Sequence, residues 1–323
     1  MSTQKLYAGV KLRELRGRLG LTQKAFAEGG RAMVYFAGQY ADHMVNGVTE
    51  GDDKKYKYWD DKLGFLTPIM KGFLTEMGLE SANIGMQVFG GHGYIKEHGM
   101  EQIARDARIS TLYEGTTGIQ ALDLLGRKVL QTQGGLLKNF TKLVHKFAEA
   151  NKDNAELAQF LTPLTALNKE WGDLTMKVGM KAMQSPNEVG AAAVDYLFYS
   201  GYVTLAYLWA LMAKTAQDKI AAGEGDKAFY EAKIKTAQFY FKKILPRTKG
   251  HVEAIDGGLD VLMQMDVESF AAEAAFELVG RAVHQQGVEV HRLAAEARLA
   301  VHLQQDADGD RARPGGPGSG AAC

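Results

Sequence analysis

Glu114 stands directly before Gly115, Thr116, Thr117 and Gly118, and a carboxylate beside a helix start can move a proton in a ligand held there. Thr117, Gly118, Ile119 and Gln120 spell a T-x-x-Q capping box, in which the threonine and glutamine side chains each satisfy a free amide of a helix beginning at that point. Ile119, Leu122, Leu125, Val129 and Leu130 recur at helical spacing and predict one buried face that holds this N-terminus rigidly. Open amides and the positive end of the helix dipole favour an anion or phosphate there, and Gly115 and Gly118 let a ligand approach the backbone. A base beside an anion site makes a catalytic corner. A lone glutamate ahead of a helix more often only complements the dipole, so the wider pattern has to decide.

That pattern begins upstream with Gln87, Val88, Phe89, Gly90 and Gly91, a glycine-rich turn that alone would mark only a bend between helices. QVFGG, followed by RDARI at 105–109 and YEGTTGIQ at 113–120, resembles the C-terminal domain of the acyl-CoA dehydrogenases. The resemblance implies an all-α fold, an antiparallel helical bundle followed by a further helical region. It implies that Glu114 is the base removing the α-proton of an acyl-CoA thioester and that Gly115 touches the substrate. It implies FAD as cofactor, held on its adenine-dinucleotide side by Thr116, Thr117 and Gly118 and by Gln87, Val88, Phe89, Gly90 and Gly91. The last five usually serve a neighbouring subunit's flavin, so a homo-oligomer is implied, as are an electron-transfer flavoprotein as acceptor and a cytoplasmic location. The spelling EHGMEQIARDARISTLYEGTTGIQALDLLGRKVL is similar to the subgroup that includes 3-methylmercaptopropionyl-CoA dehydrogenases. Desaturation of such a thioester needs a base on the α-carbon, donors on the carbonyl oxygen and an acceptor for the β-hydride. Glu114 and its own backbone N–H answer the first two needs, and flavin the third.

The elements that must position these residues divide the chain into five stretches. Residues 1–30 hold a basic segment, with six Lys or Arg against two Glu by residue 28, that resembles the first two helices of a repressor-type helix-turn-helix, Thr22 capping the second. No recognition helix follows, so specific DNA binding is not expected. Residues 31–135 form the bundle: a helix over 31–44, a loop over 46–53, and a helix over 57–79 ended or kinked by Gly78. A short helix over 81–88 and the capped helix to about 130 complete it. Residues 136–270 form the extra region, with helices near 136–150, 155–183, 188–222, 227–245 and 247–256. Residues 271–305 read as one more helix, and 306–323 as a disordered tail. Between Asp195 and Lys214 lie eighteen uncharged residues, but the tyrosines and hydroxyls of the first half suit a buried helix better than a membrane span.

Composition narrows the remaining classes. Thirty-eight basic and thirty-eight acidic residues cancel, leaving no field that favours nucleic acid or an anionic membrane. The single cysteine, Cys323, excludes internal disulfides and cysteine metal clusters. His92 and His98 flank Tyr94 without a ligand motif around them, so no metal is expected, and Arg105, Asp106 and Arg108 are expected to pair locally. No signal peptide is read at the N-terminus. Full-length members of the resembled family precede this bundle with a helical domain and a β domain, for which 30 residues leave no room. Two rival readings follow: a catalytically incompetent fragment or fusion acting as a helical interaction module, and a DNA-binding regulator working through residues 1–28.

Overall fold

The computed structural model describes residues 3–265, with side chains at 17 and 19–265; every element among them is helical. Residues up to Leu262 form one compact unit, and Met263 to Met265 belong to a second. The expected helix at 271–305 and tail at 306–323, with Cys323, lie outside the described residues.

Helix α1 runs unbroken over Thr3–Glu50. The helix-turn-helix expectation is therefore corrected: no turn interrupts the helix, and Thr22 is buried within it and not at a helix start. Glycine weakens a helix by about 1 kcal/mol relative to alanine, but Gly29 has a packing reason to be there. A Cβ on it would stand 2.8 Å from Trp209 Nε1 and 3.2 Å from Leu205 Cδ2, while the Trp209 indole donates to the Ala25 carbonyl at 3.3 Å. Ala25, Phe26 and Met33 all belong to one core, so Gly30 marks no seam between a remnant and a bundle.

Helix α2, Asp53–Phe89, folds back along α1 after a turn of two residues capped by Asp52, whose carboxylate accepts from the Lys55 N–H at 2.9 Å. The loop expected over 46–53 is thus nearly all helix. Gly47 allows it, since a Cβ there would meet the backbone nitrogen of Tyr56 at 2.7 Å. Gly78 neither ends nor breaks α2.

After two short 3-10 turns, Gly90–Gly93 and Lys96–His98, come α3 (Met100–Ile109) and α4 (Thr117–Leu122), the latter widening into a π-helical stretch over Asp123–Leu130. Then follow α5 (Gly135–Ala150), α6 (Ala158–Gln184), α7 (Asn187–Ala221), α8 (Lys227–Phe239) and α9 (Thr248–Gly257). The uncharged run lies in α7 and is the centre of the core. Two of its tyrosine hydroxyls find partners on α6, Tyr196 with Thr175 at 2.6 Å and Tyr199 with the Leu167 carbonyl at 2.9 Å and Glu170 at 2.8 Å, whereas the Thr204 hydroxyl is buried without one. No helix among the described residues is long and apolar enough to cross a membrane.

Glu28 clasps α1 to α8, with Lys24 at 2.9 Å on one oxygen and Lys233 at 2.8 Å on the other. Burial pushes its carboxyl pKa up, but hydrogen bonds and charge from Lys233 and Lys24 outweigh that and leave it lowered. A lowered folded-state pKa stabilises above the unfolded value of about 4.3 and is lost as pH falls through the folded value. Glu28→Gln should therefore lower stability by about 1 kcal/mol at neutral pH. Denaturant unfolding of both proteins across pH 3 to 7 checks this, and the gap should close toward the acid end.

Candidate functional site

The loop from Ser110 to Thr116 lies across the middle of α2. Lys71 Nζ donates to the Ser110 carbonyl at 2.7 Å and sits 5.6 Å from the centre of the Tyr113 ring. At the far end, the Thr117 hydroxyl donates to Glu76 Oε1 at 2.5 Å. Gly72, between these anchors, presses α2 against α4 and α7: a Cβ there would meet Gln120 Cβ at 3.2 Å and Leu197 Cδ2 at 2.5 Å.

Within this frame Glu114 holds φ 56°, a left-handed conformation uncommon outside glycine. Gly115 follows at φ 89°, and a side chain on it would collide with Gln120 Nε2, 2.6 Å from the Cβ position. That Gln120 amide donates to the Glu114 carbonyl at 3.2 Å. The turn carrying the carboxylate is thus latched from α4, and the carboxylate is exposed with no ion-pair partner among the described residues.

The capping box is corrected by one residue. The N-cap is Thr116, whose hydroxyl accepts from the Ile119 N–H at 3.4 Å, and Gln120 bonds the Glu114 carbonyl and not the cap amide. Glu76 decides the choice by taking the Thr117 hydroxyl. The expected buried face is also altered: Leu125 and Val129 are buried, but Ile119 is 57% and Leu122 44% exposed. The π-helical stretch that follows winds more residues per turn, so a 3.6-residue template mis-phases the ends. Exposed Leu112 and Tyr113, next in the chain, and Ile119, whose Cγ2 lies 3.6 Å from the Cβ position of Gly115, give the Glu114 turn apolar neighbours.

Gln87, Val88, Phe89, Gly90 and Gly91 stand elsewhere, at the C-terminal end of α2. Glu76, which holds Thr117, precedes Gln87 by eleven positions, or roughly 16 Å along a helix rising 1.5 Å per residue. Gly90 turns the chain at φ 63°, and Gly93 then packs so closely that a Cβ would meet the Met86 carbonyl oxygen at 2.2 Å. Beside this turn is a cavity of about 810 Å³ lined by Asn83, Met86, Tyr94, Lys96, Glu101 and Arg105 among others. The ion pairs expected of Arg105, Asp106 and Arg108 are absent among the described residues. Arg108 donates to the Thr111 hydroxyl, Asp106 accepts from Gln102 at 2.7 Å, and Arg105 and Lys96 keep free cationic ends. His92 and His98 meet edge to face with centroids 5.3 Å apart.

Sequence reasoning missed Lys71, Glu76 and the latching role of Gln120, whose partners lie up to 41 positions away. It also missed Lys96 and Arg105 as free cations, although their clustering after the glycine turn was a usable signal.

Two family models match consecutive parts of the chain: "Acyl-CoA dehydrogenase, C-terminal domain" over residues 21–130 and "Acetyl-CoA dehydrogenase C-terminal like" over 140–266. The first begins ahead of Gly30, in agreement with the continuous core of α1. The chain is 35% identical over 229 residues, 71% of its length, to 3-methylmercaptopropionyl-CoA dehydrogenase of Ruegeria pomeroyi, covering 38% of that protein. It is 30% identical over 259 residues, 77% of its length, to the broad-specificity linear acyl-CoA dehydrogenase FadE5 of Mycobacterium tuberculosis, covering 42%. The chain thus spans about two fifths of the length of these curated relatives. The fold is similar to that of Caenorhabditis elegans ACDH-11, solved in complex with C11-CoA, with a TM-score of 0.52 at 20% identity over 68% of this chain and 34% of that one. These matches favour neither the interaction-module nor the DNA-regulator reading. Between them the two C-terminal domain models match most of the chain, one after the other, and with these relatives they place it in the acyl-CoA dehydrogenase family.

Proposed function

We propose that this chain contributes the catalytic base and the adenine-dinucleotide contacts of a flavin-linked acyl-CoA dehydrogenase acting on 3-methylmercaptopropionyl-CoA or a related acyl-CoA. The observation that carries the reading is the latched Glu114 turn, because a base must be held in place to abstract a proton from one particular carbon. FAD, when bound, supplies the acceptor for the β-hydride. Glu114 takes the α-proton, and its backbone N–H donates to the thioester oxygen, which makes that proton more acidic. Gly115, without a side chain, lets the substrate lie against the backbone.

The two threonines contribute differently. The Thr117 hydroxyl proton is committed to Glu76, whereas the Thr116 oxygen accepts from Ile119 N–H and keeps its own proton to give to an anionic ligand. Thr117 and Gly118 then serve through their backbone. Lys96 and Arg105 beside Gln87, Val88, Phe89, Gly90 and Gly91 suit a diphosphate, and exposed Tyr94 offers a ring to a base. With roughly 16 Å of α2 between the two sets, each set serves a different copy of the cofactor, which is the reason to expect a homo-oligomer. An electron-transfer flavoprotein as acceptor and a cytoplasmic location belong to the same reading.

Titration with ADP, a probe for the half of the cofactor these residues face, tests it. Weak saturable binding is expected, and Arg105→Glu should weaken it about tenfold, the equivalent of roughly 1.4 kcal/mol. ADP binding indifferent both to Arg105→Glu and to Gly91→Val would move the dinucleotide elsewhere.

A further inference from the structure

Helices α5 and α6 enclose a groove of about 830 Å³ that shares no residue with the Glu114 turn or the 87–91 turn. At one end α5 and α6 touch, where the Asn168 amide donates to the Thr141 carbonyl at 3.0 Å. At the other, Leu130 Cδ2, in the π-helical stretch ahead of α5, stands 3.5 Å from the Cβ position of Gly179 on α6. Asn168 and Met183 are fifteen positions apart on α6, so the groove is roughly 22 Å long at 1.5 Å per residue.

Its lining changes character along that length. Lys138, Thr141 and Asn168 form a polar end; Leu137, Met176, Met180 and Met183 continue from it, over a floor opened by Gly172 and Gly179. Met176, Met180 and Met183 are 65%, 55% and 87% exposed, an apolar stripe that water does not favour. Lys138 is the one charged residue in the lining and has no ion-pair partner among the described residues. A groove of this size lies within the range of about 300–1,000 Å³ typical of small-molecule sites. A single polymethylene chain lies along such a trough, with the methionines adapting to its path.

We propose that this groove binds a single-chain anionic amphiphile such as a long-chain fatty acid, its carboxylate at Lys138 and its chain running toward Met183. The ligand's charge follows from the single free cation and its shape from the narrow apolar trough.

The test is displacement of the fluorescent polyene cis-parinaric acid by palmitate, below the concentration at which either self-associates. Saturable binding of one equivalent per chain is expected. Gly172→Leu should weaken it at least about tenfold, a loss of roughly 1.4 kcal/mol, without lowering the melting temperature, because its Cβ meets no atom within 4 Å. Met180→Glu, at an exposed position, should act the same way through charge. Lys138→Glu should weaken palmitate about fivefold or more, as expected for one surface ion pair, yet leave hexadecanol unchanged. Binding that is not saturable, or that survives both Gly172→Leu and Met180→Glu, overturns the proposal. So does a Gly172→Leu variant that changes the oligomeric state and leaves palmitate affinity intact, which would make the groove a protein-docking face.

Discussion

Replacing Gly201 by leucine should leave no folded protein, and Gly201→Ala alone should cost about 3 kcal/mol, the upper part of the usual range for overpacking a core. A Cβ at this position would lie 2.2, 2.4 and 2.7 Å from three carbons of the Phe73 ring. Phe73 is fully buried and gripped edge to face by Phe198 and Tyr202, with centroids 6.0 and 4.9 Å away, so the ring has nowhere to swing. The strain must go into the α2 and α7 backbones, which also carry Gly72 against Leu197 one helical repeat away and, through Glu76, the anchor of Thr117. Shortening the partner should give part of the loss back: Gly201→Ala with Phe73→Leu should be less destabilised than the sum of the two single changes. Such a favourable coupling is the signature of a direct clash. Strict additivity in chemical denaturation would show that the two residues do not meet.

The glycines explain much of what the sequence hid. Gly47 reads as part of a loop when local composition is the only guide, and nothing local says why Gly72 and Gly201 stand inside their predicted helices. In the structure each lies in a helix because another chain segment comes too close for a side chain. Local periodicity cannot contain that information, since the colliding atoms belong to Tyr56, Leu197 and Phe73. The α7 core was legible for the opposite reason. Its uncharged run with tyrosines spaced through the first half states both burial and the need for internal partners, and Tyr196 and Tyr199 find those on α6. At the candidate site, Glu114 and its glycine neighbour are singled out by a contiguous motif. The anchors of their loop are not, because Lys71 and Glu76 are placed by the crossing of α2 and have no local signature. The one-residue error at the cap has the same origin: two adjacent threonines offer equivalent caps until a distant carboxylate claims one.

Glu114→Gln separates the chemistry from the scaffold. The amide keeps the size of the carboxylate and can still accept a hydrogen bond, so the φ 56° turn and the Gln120 latch, which use only backbone atoms of residue 114, should be unaffected. What disappears is the acceptor for the α-proton. Removal of a general base typically costs about a hundred- to ten-thousandfold in rate, and the apolar surface from Leu112, Tyr113 and Ile119 would, once covered, admit no water to replace it. This chain by itself should purify without colour and turn over no acyl-CoA, because the contacts proposed for the 87–91 turn and the 116–118 helix start take only the adenine-dinucleotide half of FAD. The measurement therefore uses the chain joined behind the preceding part of the Ruegeria pomeroyi relative, of which it matches 38%. In that chimera, acyl-CoA added without oxygen should bleach the yellow flavin, and Glu114→Gln should stop the bleaching while the flavin stays bound. Bleaching at an undiminished rate in the variant would remove Glu114 from the role of base. Loss of flavin together with loss of bleaching would instead show that Glu114 supports the cofactor. A yellow preparation of the chain alone that bleaches with acyl-CoA would show that it holds the flavin ring unaided, contrary to the division of contacts proposed above.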